Sequence, residues 1–372
     1  MTARVAIVHD YLTQRGGAER VVLSMLKAFP GAPLYTSFYV PAATFPEFRS
    51  VEVRTLPINR AAPLRSRHRL ALPLLARAFS RLRVDAPIVL CSTSGWAHGV
   101  RTTGRKVVYC YTPARWLYQP GNYLRGGSPV TRAALEAMRP RLSRWDRRAA
   151  ASAHLYLTSS TAVRERIRDA YGLPAELVPP PYAIDPRGPR EALPDLEAGF
   201  YLCVSRLLPY KNLDAVVAAF AHLPERRLLL VGDGPIAHRL RRAAPPNVIF
   251  RRRVSDRQLR WLYGSCRALI AAAYEDYGLT PLEAAAFGKP AVVLRWGGFL
   301  DTVVEGRTGL FFEAPEPAAI AAAVQRLEAT AIRAPAILAH AERYSEANFI
   351  EALRRATLAS AAAARLPESL AG

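Results

Sequence analysis

Two cations stand where an apolar run ends, at a spacing suited to an anion. After the run "FYLCVS", Arg206 and Lys211 flank a Pro-containing loop, and Asn212 then precedes a helical segment as a candidate N-cap. Arginine binds phosphate oxygens through a fork of N–H groups and lysine acts as a point charge, so the pair could neutralise a diphosphate. Exposed cations are also commonly just solvated, and the spacing alone leaves both interpretations open.

A second group, "YEDYGLTPLE" at residues 274–283, places carboxylates on either side of a glycine. Glu275 and Asp276, with the backbone N–H groups from Tyr277 to Leu279, could hold a polyhydroxyl ligand. The stretch "TPLE" also matches a capping box, in which its Thr caps a helix and Glu283 reaches back to it. Glu283 therefore has a structural explanation as well as a functional one.

Further candidates follow other apolar runs. Gly16 and Gly17 open a helix after "VAIVHD", where glycine permits close backbone approach and a helix N-terminus offers N–H groups to an anion. The pattern is not G-x-G-x-x-G, which argues against dinucleotide binding. Tyr111 and Arg115 follow "VVYC" as sugar or acceptor contacts, or as residues packed on a core rim. His98 is a candidate of the same kind, although we favour a structural imidazole.

Buried parallel sheets must position these residues. Unbroken apolar runs alternate with segments of helical period, a pattern typical of parallel α/β proteins, and it restarts once across a Pro-rich stretch. The sequence predicts two doubly wound, Rossmann-like domains facing a central cleft, with chemistry at the strand ends. The predicted parts are an N-terminal domain (1–180), a linker (181–199), a C-terminal domain (200–345), and a C-terminal helix that can pack back on the N-terminal domain, with a tail (346–372). The predicted strands are 5–8, 34–39, 88–92, 107–111, 155–159, 200–205, 227–231, 247–250, 268–272 and 291–294.

Length and composition exclude several protein classes. The 372 residues, 51% hydrophobic, suit a two-domain globular protein rather than a disordered one. Four dispersed cysteines without a C-x-x-C pattern argue against a disulfide framework or a zinc site and favour a cytoplasmic protein. We expect neither a signal peptide nor a membrane span, because the N-terminal apolar run is short and no run of about 18 apolar residues occurs.

Positive charge is concentrated in the first half of the chain. Residues 1–180 hold 27 Lys and Arg against 10 Asp and Glu, whereas residues 181–372 hold 24 against 20, within a formal net charge of +21. The segment 58–83 interleaves arginines with Leu and Phe, which predicts peripheral binding to an anionic membrane surface on the inner face of the plasma membrane. A merely solvated basic face is the alternative, and nucleic acid is not favoured. The candidate membrane-facing residues are Arg60, Arg65, Arg67, Arg69, Arg77, Arg81 and Arg83.

Taken together, the motifs resemble family 4 of the retaining, nucleotide-sugar-dependent glycosyltransferases, which have the GT-B fold. The resemblance runs from "GGAERV" through "VSRLLPYKNLD" to "EDYGLTPLEAAAFGKPAV" and "GGFLDTVVEGRTGLFF". The segments "YCYTPARWLY" and "VPPPY" resemble the bacterial mannosyltransferase-like branch. The similarity implies a hexose donor, with GDP-mannose as the first candidate, and a lipid-linked or saccharide acceptor.

The resemblance also implies roles for the candidate residues. The backbone of Gly16 and Gly17 would meet the donor diphosphate, and Arg206 with Lys211 would stabilise the leaving nucleoside diphosphate. Glu275 would face the sugar hydroxyls and Glu283 the ribose. The remaining donor contacts implied are the N–H groups of Tyr277, Gly278 and Leu279, and the main chain of Arg253 and Val254 at the base.

One position departs from the family pattern. Many relatives carry His where this chain has Tyr111, and a phenol can donate to a sugar hydroxyl but cannot act as an imidazole base near neutral pH. No protein nucleophile is evident, so we expect front-face transfer in which the leaving phosphate takes the acceptor's proton. We expect no metal or other cofactor, because cations and backbone, rather than an Asp-x-Asp pair, would meet the diphosphate.

Two other functions remain open from the sequence. One is a membrane- or RNA-associated binding protein on a GT-B scaffold, against which the intact cation pair and carboxylate pair argue. The other is a nucleotide-sugar epimerase, which would turn over its donor without an acceptor.

Overall fold

The chain folds into two compact units, and each is described by itself. The computed structural model of the protein describes residues 5–66, 71–119 and 129–362. The first unit comprises Met1–Pro180 with Glu346–Gly372, and the second comprises Pro181–Ser345. Each unit contains one sheet, and the strands named below pair only in parallel within the described residues.

Seven strands form the sheet of the first unit. They are β1 (Val5–His9), β2 (Leu34–Thr36), β3 (Val53–Thr55), β4 (Ile88–Thr93), β5 (Arg105–Cys110), β6 (Leu155–Thr158) and β7 (Glu176–Leu177). Their order is β3-β2-β1-β4-β5-β6-β7. The chain runs from β1 to one edge and returns through β4 towards the other, so the order reverses between β1 and β4. In such sheets ligands bind beyond the carboxyl ends of the strands at the reversal.

Burial on both faces explains why these strands read as unbroken apolar runs. Every residue of β1 and β4 is buried. Ala6 and Val8 belong to one hydrophobic cluster, whereas Val5 and Ile7 belong to another. Because side chains of a strand alternate between the two faces of a sheet, the two clusters are its two covered sides.

Helices cover the two faces of the first sheet. They are α1 (Gly17–Ala28), α2 (Ala62–Ser66), α3 (Leu72–Arg81), α4 (Arg115–Tyr118), α5 (Pro129–Ala151) and α6 (Thr161–Tyr171). The start and end of α6 follow from its sequence. The Ser160 side chain accepts a hydrogen bond from the Val163 N–H, and Gly172 ends the helix in the left-handed region with φ 71°.

The second unit repeats the same winding. Its strands are β8 (Tyr201–Val204), β9 (Leu228–Val231), β10 (Val248–Arg251), β11 (Ala268–Ala271), β12 (Ala291–Leu294) and β13 (Gly309–Phe312). Their order is β10-β9-β8-β11-β12-β13, so the reversal lies between β8 and β11. Strands β3, β7 and β13 are absent from the sequence prediction. The first two are edge strands of three and two residues, too short to give an apolar run.

The helices of the second unit are short. They are α7 (Leu213–Ala219), α8 (Ala237–Ala243), α9 (Asp256–Ser265), α10 (Leu279–Ala286), α11 (Phe299–Thr302), α12 (Pro317–Ala329) and α13 (Ala334–Glu342). Helix α9 begins with a complete capping box, in which Ser255 and Gln258 each accept from the other's backbone N–H.

The last described helix, α14 (Glu346–Ala362), returns to the first unit and packs on α1. Glu346 accepts hydrogen bonds from Ser24 Oγ and Lys27 Nζ, both at 2.7 Å. Phe349 and Leu353 are buried in the core of the first unit. The C-terminal helix therefore belongs to the N-terminal unit, although most of the second unit separates the two in sequence.

The stretch 181–199, predicted as a linker, is structurally part of the second unit. Ile184 and Leu196 are buried in the core of that unit. The backbone N–H of Tyr182 donates to Tyr344 O at 3.3 Å. A Pro-rich composition signals an irregular segment, but buried apolar side chains fix this one against the core.

Candidate functional site

An ion pair between Lys211 and Glu275 lies at the carboxyl edge of the second sheet. Lys211 ends a one-turn 3₁₀ helix that follows β8, and Glu275 lies beyond the end of β11. Lys211 Nζ donates to Glu275 Oε1. The Lys211 side chain is 8% exposed and that of Glu275 is 31% exposed. Because β8 and β11 are neighbours at the reversal of strand order, residues 64 apart in sequence meet here.

Arg206 shares the loop between β8 and Lys211 and is exposed. Its Nη2 donates to Tyr210 Oη at 3.3 Å. The stretch "VGDG" after β9 anchors this loop, because the Leu207 N–H donates to Asp233 O at 2.9 Å. A Cβ on Gly234 would lie 2.7 Å from the Leu207 carbonyl carbon. Glycine at position 234 therefore lets this stretch pack directly against the loop that carries Arg206 and Lys211.

Asn212 links the loop that carries Lys211 to the loop that carries Glu275. Among the described non-glycine residues it alone has a positive φ, 55°. It occupies the N-cap position of α7, as predicted, but its side chain does not cap the helix. Instead, Asn212 Nδ2 donates to Ala272 O at 2.8 Å, three residues before Glu275. The predicted capping interaction is wrong because the left-handed backbone turns the amide towards β11.

Gly278 permits the turn between the two predicted carboxylates. It adopts φ 85° as the N-cap of α10, and a Cβ here would lie 2.6 Å from the Phe299 ring. The capping box predicted for Thr280 and Glu283 is wrong, because the helix begins at Leu279, one residue before Thr280. Glu283 Oε2 accepts a 2.5 Å hydrogen bond from Tyr263 Oη, which orients that carboxylate. Glu283 and Glu275 thus flank the turn with different partners.

A second glycine pair, Gly297 and Gly298, supports the loop that carries Glu275. The Gly298 N–H donates to Glu275 O at 3.0 Å. A Cβ on Gly298 would collide with the backbone of Tyr277, and Gly297 has φ 56°. The Tyr277 ring itself is buried against Leu282 and Tyr344, and burial raises its pKa well above the ordinary value. Tyr277 can therefore offer a ligand its main chain.

The predicted base-contact segment lies beyond β10 on the same edge. Arg253 is exposed, whereas Val254 is half-buried against the core of the unit. The preceding residue, Arg252, donates through Nε to Asp233 Oδ2 at 2.7 Å and lowers the pKa of that carboxyl. The segment is thereby tied to the "VGDG" loop and, through it, to the loop of Arg206.

In the first unit, Gly16 and Gly17 occupy the start of α1 as predicted from the sequence. Gly16 is the N-cap and Gly17 the first helical residue. The Glu19 carboxylate, on the first turn, folds back so closely that a Cβ on Gly16 would overlap it. Glu19 is 1% exposed. Burial raises the pKa of its carboxyl, and the charge of His9 opposes that rise.

Tyr111 extends beyond β5 towards α1. Its hydroxyl donates to Ala18 O at 3.1 Å and lies 2.9 Å from Ser92 Oγ. Burial raises the pKa of Tyr111 far above its ordinary value. In this structure the phenolic hydrogen is therefore engaged within the protein, and a contact of Tyr111 with a sugar stays a prediction.

His98 is a core residue, so its assignment as an acceptor contact is wrong. It is buried, and its Nε2 lies 3.0 Å from Asp146 Oδ1. Asp146 is also buried and accepts a hydrogen bond from Tyr118 Oη at 2.9 Å. The structural imidazole favoured by the sequence is what the structure contains. Arg115 begins α4 and is half-buried.

Sequence reasoning missed Asp10, which organises the loop after β4. Its buried carboxylate accepts from Thr93 Oγ1 at 2.9 Å and from backbone N–H groups of the loop that follows. Those donors are Ser94 at 2.6 Å, Trp96 at 3.2 Å and Ala97 at 2.7 Å. The available signal was a carboxylate directly after a buried strand.

Where its side chains are described, the basic segment 58–83 presents several exposed arginines, and most of the apolar side chains of α3 are buried. Leu75, Ala76 and Phe79 of α3 are buried in the core of the first unit, whereas Leu74 is 48% exposed. Arg60, Arg77 and Arg81 are exposed, Arg65 is half-buried, Arg83 pairs with Asp85 at 3.1 Å, and Arg67 and Arg69 lie outside the described residues. Helix α5 adjoins α3 through a 2.7 Å hydrogen bond from Trp145 Nε1 to Ser80 Oγ.

Among the helices of the described ranges, none combines the length and apolar character needed to cross a bilayer.

Two family descriptions together account for most of the chain. Residues 15–187 match the family described as Glycosyltransferase Family 4. Residues 189–347 match the family described as Glycosyl transferases group 1. The border between the matches falls a few residues beyond the division between the two units at Pro180.

Curated relatives are similar over part of their length. A GDP-mannose-dependent alpha-(1-6)-phosphatidylinositol monomannoside mannosyltransferase from Mycolicibacterium smegmatis is 33% identical over 153 residues, covering 37% of this chain and 40% of the relative. A glycogen synthase from Thermus thermophilus is 34% identical over 132 residues, covering 33% of this chain and 30% of the relative. The aligned regions therefore span less than half of these relatives.

A solved structure matches the whole fold. HepE from Anabaena, in complex with UDP and glucose, has a TM-score of 0.68 at 16% identity, covering 96% of this chain and 100% of HepE. The two Rossmann-like units are those of the GT-B class of glycosyltransferases. Within that class, the chain belongs to glycosyltransferase family 4.

Proposed function

We propose that this protein transfers a hexose from a nucleotide sugar to a lipid-linked or saccharide acceptor, with retention of anomeric configuration and release of a nucleoside diphosphate. The observation that carries the proposal is the ion pair between the buried Lys211 and the half-buried Glu275 at the reversal of strand order in the second sheet. A buried cation beside an exposed Arg206 suits a leaving diphosphate, whose developing charge fixed cations stabilise.

The pair explains how the site can be charged yet stable without a ligand. Lys211 is nearly buried, and an unpaired buried ammonium is costly. Glu275 neutralises it in the free protein. When a diphosphate arrives, the ammonium gains a stronger anionic partner, and the Glu275 carboxylate becomes available to the hydroxyls of the attached sugar.

The rest of the donor would be held by oriented groups on the same edge. We assign Glu283, whose Oε2 accepts a hydrogen bond from Tyr263 Oη, to the ribose hydroxyls. The N–H groups from Tyr277 to Leu279, supported by Gly298, are assigned to the sugar and phosphate. The main chain of Arg253 and Val254 is assigned to the base.

Front-face transfer is the mechanism we propose for this set of groups. The groups assigned to the sugar are a carboxylate already paired with a cation and main-chain N–H groups, and none is a free nucleophile for a covalent intermediate. The leaving phosphate, held by Arg206 and Lys211, would accept the proton of the attacking hydroxyl. The proposal includes no metal, because cations and backbone supply the neutralisation that a metal would otherwise provide.

GDP-mannose is the donor we propose to test first. The mycobacterial relative is named as GDP-mannose-dependent. HepE was solved with UDP and glucose. Main-chain contacts to the base discriminate weakly between nucleotides, so both GDP and UDP sugars belong in the test.

The experiment is a thermal-shift panel of nucleoside diphosphates and their sugars, followed by detection of transferred sugar. A ligand that binds only the folded state raises the melting temperature by mass action. We expect stabilisation by one diphosphate and its sugar, and donor-dependent product. Stabilisation without product would favour a binding protein, and donor turnover without acceptor would favour an epimerase.

For the acceptor, we propose a lipid-linked saccharide presented at an anionic membrane surface. Helix α5, which contacts α3 through Trp145 and Ser80, carries further exposed arginines, namely Arg141, Arg144, Arg147 and Arg148. Because Leu75, Ala76 and Phe79 of α3 are already buried in the core, we propose electrostatic rather than insertive binding. We expect binding to anionic vesicles that weakens with added salt. Binding that is indifferent to salt or to lipid charge contradicts this part of the proposal.

A further inference from the structure

Tyr210 contacts both of the cations that we assign to the diphosphate. Its hydroxyl oxygen accepts a hydrogen bond from Arg206 Nη2 at 3.3 Å. Its ring centroid lies 5.0 Å from Lys211 Nζ, within the distance of a cation–π contact. On its other side, Lys211 Nζ donates to Glu275 Oε1. A single tyrosine therefore binds one cation through its hydroxyl and the other through its aromatic ring.

Hydrogen bonds fix the backbone that follows Arg206 but leave its side chain dependent on Tyr210. The Leu207 N–H donates to Asp233 O at 2.9 Å. The Leu208 N–H donates to Arg206 O, also at 2.9 Å. Within the part of the chain that the structure describes, Tyr210 Oη is the one hydrogen-bond acceptor of the Arg206 guanidinium. A long exposed side chain loses much rotamer freedom when it is ordered, and this contact orders it in part.

Packing in the core does not explain the position of Tyr210. The residue is 37% exposed and is not part of the hydrophobic core of the second unit. It lies in the one-turn 3₁₀ helix Pro209–Lys211, which begins with a proline and ends at the left-handed Asn212. The conformation of the loop therefore holds an exposed aromatic ring beside a buried ammonium.

We propose that Tyr210 is a positioning residue, which holds Arg206 and Lys211 ready for the two phosphate groups of a nucleoside diphosphate. The inference rests on the proposed function, which assigns both cations to that anion. The lone pair of a phenol oxygen and the negative face of an aromatic ring both attract cations. Tyr210 therefore offsets the mutual repulsion of the two charges. It also orders the guanidinium before the ligand binds, which reduces the entropy lost on binding.

The ring of Tyr210 would also keep Lys211 in place when its ionic partner changes. In the free protein that partner is Glu275. In the proposed function, Glu275 turns to the hydroxyls of the sugar when the diphosphate arrives. The aromatic ring takes no part in this exchange, so it stays beside the ammonium throughout.

A double-mutant cycle between Tyr210→Phe and Arg206→Ala tests the positioning role. Phenylalanine keeps the ring and removes only the acceptor for Arg206. We expect Tyr210→Phe to weaken the preferred diphosphate, GDP or UDP, about fivefold in calorimetric titration, the loss typical of one hydrogen bond. In the Arg206→Ala background the same change should weaken binding less than about twofold, because the donor is already absent. Equal losses in the two backgrounds would overturn the proposal, since Tyr210 would not act through Arg206.

Tyr210→Leu tests the contribution of the ring. This change removes the contact with Lys211 as well as the acceptor for Arg206. We expect the diphosphate to bind about threefold more weakly to Tyr210→Leu than to Tyr210→Phe, the size of one cation–π contact. Equal affinities of these two variants would show that the ring does not hold Lys211, and would overturn that part of the proposal.

Tyr35→Phe is the matched control, because Tyr35 makes the same kind of contacts in the first unit. Its hydroxyl accepts from Arg54 Nη1 at 2.6 Å, and the Arg54 guanidinium carbon lies 5.4 Å from its ring centroid. We expect Tyr35→Phe to bind the diphosphate as the wild type does. A loss in this control equal to that of Tyr210→Phe would contradict the proposal. Because Tyr210 is exposed, we expect the melting temperatures of its variants to stay close to that of the wild type.

Inorganic pyrophosphate, titrated alongside GDP and UDP, separates failure of this inference from failure of the proposed function. A nucleoside diphosphate that binds the wild type with equal losses in both backgrounds removes the role of Tyr210 but leaves the proposed function intact. Pyrophosphate binding that follows the expected cycle, without binding of GDP or UDP, supports Tyr210 as a positioning residue and contradicts the nucleotide assignment. Binding of none of the three contradicts both.

Discussion

The two sheets of this protein have the same winding but bring different chemistry to the same place. In the second unit, the strands at the reversal of order lead to Lys211 and Glu275, an ion pair. In the first unit, the corresponding strands bring together His9, the last residue of β1, and Ser92 of β4, with His9 Nδ1 and Ser92 Oγ 3.0 Å apart. Topology fixes where side chains converge, and the residue types at those positions decide what they can hold.

The two edges also differ in how their loops are supported. In the second unit, Gly234, Gly278 and Gly298 allow backbone to pack where a side chain would collide. In the first unit, the Asp10 carboxylate gathers hydrogen bonds from the loop after β4. The loops at the second edge are therefore packed backbone against backbone, whereas the loop after β4 in the first unit is fixed by a carboxylate side chain. Each prediction below tests one side of this contrast.

The largest effect is expected for Lys211→Ala. If the ammonium stabilises the leaving diphosphate, its removal should lower the rate of sugar transfer by about 100- to 1000-fold, the loss typical of one oxyanion-stabilising group. Steady-state transfer with the donor identified by thermal shift measures this. The matched control is Lys289→Ala, since Lys289 precedes β12 at the opposite edge of the same sheet. Equal losses of transfer rate in the two variants would show that Lys211 has no specific role at the site.

Glu275→Ala should cost more stability than Lys211→Ala. Removing the carboxylate leaves the Lys211 ammonium unpaired in a side chain that is only 8% exposed. Removing the lysine instead leaves a carboxylate whose side chain is 31% exposed to water. We expect Glu275→Ala to reduce the free energy of unfolding by about 3 kcal/mol, the lower end for breaking a buried pair. Urea unfolding measures this difference, with Glu225→Ala at an exposed position as control. The reverse order of the two stabilities would contradict the burial pattern.

Gly298→Ala tests the backbone support of the Glu275 loop. The new methyl group would collide with the backbone of Tyr277. We expect a loss of about 1–3 kcal/mol in unfolding free energy, as for overpacking, with a parallel loss of donor affinity. The control is Gly306→Ala, which has φ 72° and open space around its Cβ, so it reports backbone strain alone. Donor affinity should be retained in that control.

The smallest effect is a pH dependence from Glu19. Burial raises the pKa of its carboxyl above the ordinary 4.5. The folded protein therefore binds this proton more tightly than the unfolded chain does, and the resulting stability is lost as pH rises through the folded pKa. We expect Glu19→Gln to be more stable than wild type at neutral pH, with a difference that shrinks as pH falls towards 4.5. A difference constant across that range in urea unfolding would mean that Glu19 is not desolvated.

Much of the fold could be predicted from the sequence because a strand buried on both faces of a sheet appears in the sequence as an unbroken apolar run. Runs such as "VAIVH" and "IVLCST" became β1 and β4, which are buried at every residue. The edge strand β7 could not be found in this way, since its two residues, Glu176 and Leu177, are exposed. Edge strands depend on pairing with a neighbour, which local sequence does not encode.

For the candidate site, residue types were predictable but their partners were not. The pairing of Lys211 with Glu275 spans 64 residues and depends on strand order. The predicted start of α10 was wrong because Gly278, with a left-handed backbone, is the N-cap of this helix. The nearby Thr-Pro pair matches the sequence pattern of a helix start and therefore suggested a later one. Asp10 was missed altogether, since the hydrogen bonds that its carboxylate accepts from the loop after β4 become visible only when the fold is known.

The most direct measurement of the central claim is calorimetric titration of GDP and UDP onto the wild type, the double variant Arg206→Ala/Lys211→Ala and Lys289→Ala. Hydrogen bonds to charged groups contribute about 1.5–3 kcal/mol each, so loss of two should weaken the preferred diphosphate by at least about 100-fold. We predict that loss in the double variant and wild-type affinity in Lys289→Ala. A double variant that binds the diphosphate as tightly as the wild type would contradict the account.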